Sequence, residues 1–182
     1  MAILTRYEFA GITQAKAGYK SKQTFINESR QYSRINYTTS IFLSHSHTDK
    51  DVVEQAVVFF RTLGINVYVD WMDETMPERP NGETALLIKQ KIQENDKFVL
   101  LGTNAAIASK WCNWEVGIAD TFKQPRKKLV ILPLADNSRN WDGNEYLQVY
   151  GRIEKQSTSF GEDFFIYYPD GTVETLFTWV KR

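Results

Sequence analysis

A chain of 182 residues, 42% hydrophobic and 24% charged, is long enough to bury a full core as one domain with a terminal extension, and wholesale disorder is excluded. Lys and Arg number 22 and Asp and Glu 22, so a zero net charge argues against nucleic-acid or anionic-membrane binding. The longest apolar runs fall short of the ~20 residues that span a bilayer, no secretory signal opens the chain, and the lone Cys112 excludes an internal disulfide, all of which fits a reducing cytoplasm.

Residues 1–40 carry six Lys/Arg against two Glu, a net of +4, which leaves −4 for the remainder. Such a basic arm docks on its own domain, docks on a neighbouring copy, or stays solvated, and the pattern favours the last. Within it, Gln23–Tyr32 has the makings of a helix. Ser40–Ser44 is a short apolar strand ending in the polar loop His45-Ser46-His47-Thr48. Val53, Ala56, Val57 and Phe60 then recur at helical spacing, with Thr48 or Asp49 as N-cap and Gly64 as the stop. Asn66–Asp70 is a β-branched and aromatic strand, and Trp71–Gly82, with Pro77, Pro80 and an Asn-Gly pair, is a loop. Glu83–Glu94 places Ala85, Ile88 and Ile92 on one helical face. Phe98–Leu101 is a third strand, Ala105–Lys123 a third helical region and Leu129–Leu134 a fourth strand. The polar stretch 135–163 has no clear pattern; Phe164–Tyr168 reads as a fifth strand and Val173–Arg182 as a terminal helix.

Nearly unbroken apolar strands alternating with amphipathic helices predict an α/β fold with a parallel sheet covered on both faces. Ligands bind such sheets beyond the carboxyl ends of the strands, where the winding reverses. The loops 45–49, 71–82 and 104–115 are therefore the first candidates.

One side chain there demands a reason. In helical register Trp111, Glu115, Ile118 and Phe122 share a face, so Glu115 interrupts an apolar stripe. A desolvated carboxylate costs several kcal/mol unless paired, hydrogen-bonded or wetted. The pattern leaves two readings level: a functional acid in a cleft, and an ion pair with a lysine at the helix edge. Trp114 reads as core, and Cys112 as a packed thiol rather than a nucleophile.

The segment Ser109-x-Trp111-Cys112-x-x-Glu115 resembles the motif that opens the third helix of Toll/interleukin-1 receptor (TIR) domains, in its plant and bacterial wording. Ile41-Phe42-Leu43-Ser44-His45 followed by Asp49, and Val67-Tyr68-Val69-Asp70, agree with that family in order and spacing. The resemblance covers residues 39–182 and leaves 1–38 as an N-terminal extension. It implies a flavodoxin-like three-layer sandwich with a five-stranded parallel sheet in the order 2-1-3-4-5. For catalytic members it implies hydrolysis or cyclisation of NAD⁺, as substrate and with no cofactor, with Glu115 as the catalytic carboxylate and Trp111 as the neighbouring ring. Nicotinamide leaves as a neutral molecule, so one carboxylate that holds the ribose and stabilises an oxocarbenium-like transition state suffices, unlike the paired acids of ordinary glycosidases.

Further NAD⁺-binding candidates are His45 and Ser46, in a loop beside a helix N-terminus suited to ribose or pyrophosphate, and Ser109, a helix cap that also faces ligand. Trp71 is open to two readings, a loop residue that covers ligand and a core anchor. His45-Ser46-His47-Thr48-Asp49 also resembles the opening of the metallo-β-lactamase zinc motif, but Lys50 stands where that motif continues with histidine and no third histidine exists. No dinucleotide-binding glycine fingerprint or P-loop occurs, which argues against a dehydrogenase or an NTPase. The resemblance further implies homo-oligomers through TIR–TIR contacts, a separate effector responding to the nucleotide product, and a place in innate immune, anti-phage defence. The alternative is a non-catalytic TIR adaptor acting by assembly alone.

Overall fold

A computed structural model describes residues 3–18, 39–73, 81–159 and 161–182. The candidate helix Gln23–Tyr32 and most of the loop Trp71–Gly82 lie outside the described residues. In chain order the elements are β1 (Leu4–Thr5), α1 (Arg6–Ala17), β2 (Thr39–Ser44), α2 (Lys50–Thr62), β3 (Ile65–Tyr68), α3 (Gly82–Glu94), β4 (Lys97–Gly102), α4 (Asn104–Ala108), α5 (Lys110–Lys123), β5 (Leu129–Ala135), β6 (Gly151–Thr158), β7 (Gly161–Tyr167), β8 (Val173–Thr175) and α6 (Leu176–Lys181).

The fold is α/β, with a mostly parallel sheet in the order β3-β2-β4-β5-β6-β7-β8. The strands from β3 to β6 run parallel, whereas β7 and β8 continue the sheet antiparallel. Alternate residues of the central strands enter two separate cores. Ile41, Leu43, Val99, Leu101, Val130 and Leu132 pack with α2 on one face. Phe42, Phe98, Leu100, Leu129 and Ile131 pack with α3 and α5 on the other. Burial on both faces is why these strands carry no polar alternation.

Four expectations need correction. The place beside β5 belongs to Gly151–Thr158, inside the stretch without a clear pattern; Phe164–Tyr168 falls largely in β7, one place further out and antiparallel. Polar residues at the exposed end of β6, such as Gln156, Ser157 and Thr158, hide that strand from a hydrophobic reading. The third helical region is broken at Ser109, whose extended backbone (φ −75°, ψ 122°) ends α4 and caps α5. Val173–Thr175 is strand, so the terminal helix begins at Leu176.

The fourth correction concerns the arm, whose described part, residues 3–18, is docked rather than solvated. Leu4 and Thr5 pair in parallel with Leu134 and Ala135, the end of β5 beyond its pairing with β6. Thr5 then caps α1 in a reciprocal capping box with Glu8. Phe9 is fully buried, its ring 5.5 Å from that of Phe59 in edge contact. One buried phenylalanine contributes roughly 1.5–3 kcal/mol, enough to hold a short helix that is marginal alone. Of the basic residues read as a solvated run, Arg6 and Lys16 are thus interleaved with an apolar stripe that docks.

Candidate active site

The winding reverses at β2, which lies between β3 and β4, so the crevice opens where β2 and β4 end. Ser44 ends β2. Strand alternation puts it on the side of Phe42, facing α5, and its Oγ donates a 2.5 Å hydrogen bond to Oε2 of Glu115. Glu115 is 5% exposed. Burial pushes its carboxyl from the ordinary 4.5 up to about 8; the charge of Asp70 adds to this and the Ser44 hydroxyl opposes it. Among the described residues no cation pairs with Glu115, so the ion pair at the helix edge is not what places it.

His45 follows directly. Its Nδ1 lies 2.9 Å from the carbonyl of Leu43, which can only accept, so Nδ1 carries the proton in this hydrogen-bond network. Nε2 is buried with no hydrogen-bond partner among the described residues, 3.4 Å from Oδ1 of Asp70. Burial lowers the ring's basicity and the Asp70 charge works against that. Asp70, just beyond β3, is held by the N–H of Trp71 at 2.7 Å.

Ser46 caps the short helical turn His47–Asp49, its Oγ accepting from the Thr48 N–H at 3.4 Å. Asp49 at the end of the turn is buried, accepts a hydrogen bond from Thr103 Oγ1 and pairs with Arg6 at 2.8 Å. The loops after β2 and β4 are thereby joined. Ser109 accepts from the Cys112 N–H at 3.3 Å as the cap of α5. Cys112 is a buried, packed thiol; burial, then the charge of Glu115, pushes it up to about 11, away from the thiolate form a nucleophile needs.

Trp111 is half-buried against the α5-side core, its ring centroid 5.0 Å from that of Trp114. Trp114, expected in the core, is 37% exposed, because α5 buries Cys112, Glu115, Val116 and Ala119 and turns Trp114 off that face. Trp71 packs against the core on the α2 side, with Lys50 Nζ 5.1 Å above its ring. Within one chain the geometry therefore groups Glu115, His45 and their neighbours Ser44 and Asp70, and it places Trp71 on the other core. Sequence reasoning named Ser44, Asp70 and Asp49 only as motif residues without a role in the site, and missed Thr103 and Arg6. Period-two alternation carried the first two, since Ser44 continues from Phe42 and Asp70 from Tyr68, whereas the link between Arg6 and Asp49 had no local signal. Among the described residues no three His, Cys, Asp or Glu side chains form a metal-binding group, and no helix is long and apolar enough to cross a membrane.

Residues 41–160 match the protein family described as the TIR domain. The chain is 28% identical over 153 residues to a Bacillus cereus protein named "probable 3' cyclic ADP-D-ribose synthase", covering 81% of this chain and 78% of that one. It is 26% identical over 101 residues to a Cytobacillus dafuensis protein named "putative cyclic ADP-D-ribose synthase", covering 54% of this chain and 26% of that much longer one.

Proposed function

The chain belongs to the TIR domain family, and from that premise we propose that it cleaves NAD⁺ between nicotinamide and ribose, with Glu115 as the catalytic carboxylate. The observation that carries the reading is the burial of Glu115 against Ser44 at the winding reversal, with no cationic partner among the described residues. The names of the two relatives support cyclisation as the outcome.

The chemistry follows from the group. The bond from ribose C1′ to the nicotinamide nitrogen breaks and its electron pair stays with the nitrogen, so neutral nicotinamide leaves. The ionised carboxylate of Glu115 stabilises the cation left at C1′ and orients the ribose hydroxyls. Water, or a hydroxyl of the adenosine ribose, then bonds to C1′ and gives up its proton to the carboxylate. Excluding bulk water from a site of this kind favours the internal hydroxyl, hence a cyclic ADP-ribose. Ser44 favours the ionised form of Glu115, while His45 and Ser46 line the ribose and pyrophosphate side. Ser109 and Trp111 meet the ligand from α5.

Assembly of copies belongs to the same reading. Trp114, Phe122 and Leu86 are exposed on the neighbouring helices α5 and α3, which suits a TIR–TIR contact. Trp71 would then serve a neighbouring copy's site rather than its own. The nucleotide product would act as a signal in anti-phage defence, through a separate effector in the cytoplasm. The rival reading, an adaptor acting by assembly alone, gives no role to an acid buried with no cationic partner among the described residues.

Purified protein incubated with NAD⁺ should release nicotinamide and a cyclised product identified by mass spectrometry, and Glu115→Gln should abolish both. Nicotinamide release that persists in Glu115→Gln would overturn the assignment.

A further inference from the structure

We infer that the N-terminal arm, Leu4–Ala17, is a working part of the site, and that Arg6 is the positioning residue through which the arm holds the loop after β2. For what that loop does, the inference rests on the NAD⁺-cleaving reading; the tie itself rests on contacts within the chain. The arm precedes the segment that matches the family, which begins at residue 41.

Asp49 is the centre of the tie. Its side chain is 2% exposed, and its two oxygens are engaged from two directions. The guanidinium of Arg6 reaches Oδ1 at 2.8 Å, and the hydroxyl of Thr103 donates to Oδ2. The Asp49 N–H donates to the carbonyl of Ser46 at 3.0 Å and closes the turn that follows Ser44 and His45. Asp49 thus joins the loop that follows Ser44, the partner of Glu115, to the loop that leads into α4 and α5. A buried carboxylate that loses its cation is left uncompensated and is drawn toward water, which loosens the turn.

The arm is built to hold Arg6 in place. The pairing of Leu4 and Thr5 with the end of β5 sets its register, and the capping box fixes the first turn of α1, where Arg6 stands. Glu8, one position beyond Tyr7 in the same turn, accepts from Arg139 at 2.6 Å and so pins the loop after β5. One helical turn therefore ties together the loops after β2, β4 and β5, all at the carboxyl end of the sheet. Arg6 is not itself placed to attract the diphosphate of NAD⁺, because its charge is spent on a buried carboxylate. Its contribution is to hold Ser44 and His45 at a fixed distance from Glu115, and a displacement of about 1 Å at such a site costs about 100-fold in rate.

The test uses the full-length chain. Arg6→Ala should lower kcat for nicotinamide release by about 10- to 100-fold with KM changed less than about threefold, the split expected when geometry rather than binding is lost. Hydrogen exchange at the amides of residues 45–49 should accelerate in that variant, and Arg6→Lys, which keeps the charge, should restore most of kcat and of the protection. Tyr7→Ala, at an exposed neighbour on the same helix, should match wild type in both measurements. If Arg6→Ala fails to fold, Arg6→Gln supplies the same comparison with the hydrogen-bonding reach kept and the charge removed. A rise in KM alone would make Arg6 a substrate contact and overturn the inference, as would unchanged exchange at 45–49. Wild-type protein that releases no nicotinamide would remove the cleavage reading, and the exchange comparison would then decide the tie on its own.

Discussion

Replacing Glu115 by glutamine should make the protein inactive and more stable, and the gain should depend on pH in a way that only a buried acid produces. The folded state holds the carboxyl at about 8 against an ordinary 4.5, because burial disfavours its charge. Between those two pH values the unfolded chain releases the proton while the folded chain keeps it, so the group's contribution to stability falls as pH rises and is lowest above about 8. Each pH unit of that interval is worth about 1.4 kcal/mol, giving an upper bound of about 5 kcal/mol at pH 8 and under about 1 kcal/mol at pH 5. Relaxation of the folded state toward the ionised group lowers the figure, so roughly 2–4 kcal/mol is expected at pH 8. Glutamine has nearly the same shape, carries no charge and can still accept from Ser44. For a chain of this length about 1 kcal/mol moves Tm by roughly 2–4 °C, so Glu115→Gln should melt roughly 5–15 °C above wild type at pH 8 and within about 3 °C of it at pH 5. Scanning calorimetry across that range measures it. A gain equal at both pH values, or none at pH 8, would refute the claim that Glu115 is held as a destabilised carboxylate.

Two other perturbations act on the same logic. Nicotinamide release should rise with pH through about 8 as Glu115 ionises; Ser44→Ala removes a hydrogen bond to the charged form worth about 1.5–3 kcal/mol, so the rising limb should move alkaline by about one unit or more, and a limb that stays in place would exclude Ser44 as its partner. At the far end of the sheet, Lys97 is 1% exposed, and its Nζ has no hydrogen-bond partner among the described residues and lies 4.7 Å from the Trp179 ring. Burial, then the charge of Lys128, lowers it from 10.5 to about 8. Wild-type stability from this group therefore rises as pH climbs from about 8 to 10.5, and Lys97→Met should raise Tm at pH 7 by more than it does at pH 10, with a bound of about 3 kcal/mol less the lost cation–π contact. A Tm for Lys97→Met below wild type at pH 7 would refute it.

The sheet was legible where strands are buried on both faces. Phe98–Leu101 and Leu129–Leu134 are apolar at every position because alternate residues feed two cores. The strand beside β5 was not legible, since its last residues are exposed and it is held by pairing to β7 rather than by an apolar run. Glu115 was visible as an acid on an apolar face, and the resemblance to TIR domains supplied its chemistry. Its hydrogen-bond partner was not visible: Ser44 lies 71 residues away in sequence, and only strand register shows that it faces α5. Trp71 reads alike as lid and as core anchor in one dimension, and the structure packs it on the α2 side. Tertiary ties of long separation, such as Arg6 to Asp49, leave no periodic trace.

The energetics separate the two kinds of buried charge in this fold. Asp49 is buried with a guanidinium and a hydroxyl on its two oxygens, so its burial is compensated where it lies. Glu115 is buried on α5 with, among the described residues, the Ser44 hydroxyl as its one hydrogen-bond partner and no cation to compensate its ionised form. A carboxylate that weakens the fold in this way has no structural task that glutamine would not do better. What glutamine cannot do is offer a negative charge to a cation forming within reach. On the proposed NAD⁺-cleaving reading, the cationic ribose centre left when nicotinamide departs would supply the missing compensation, and the charge of Glu115 would be best stabilised at the moment of bond cleavage.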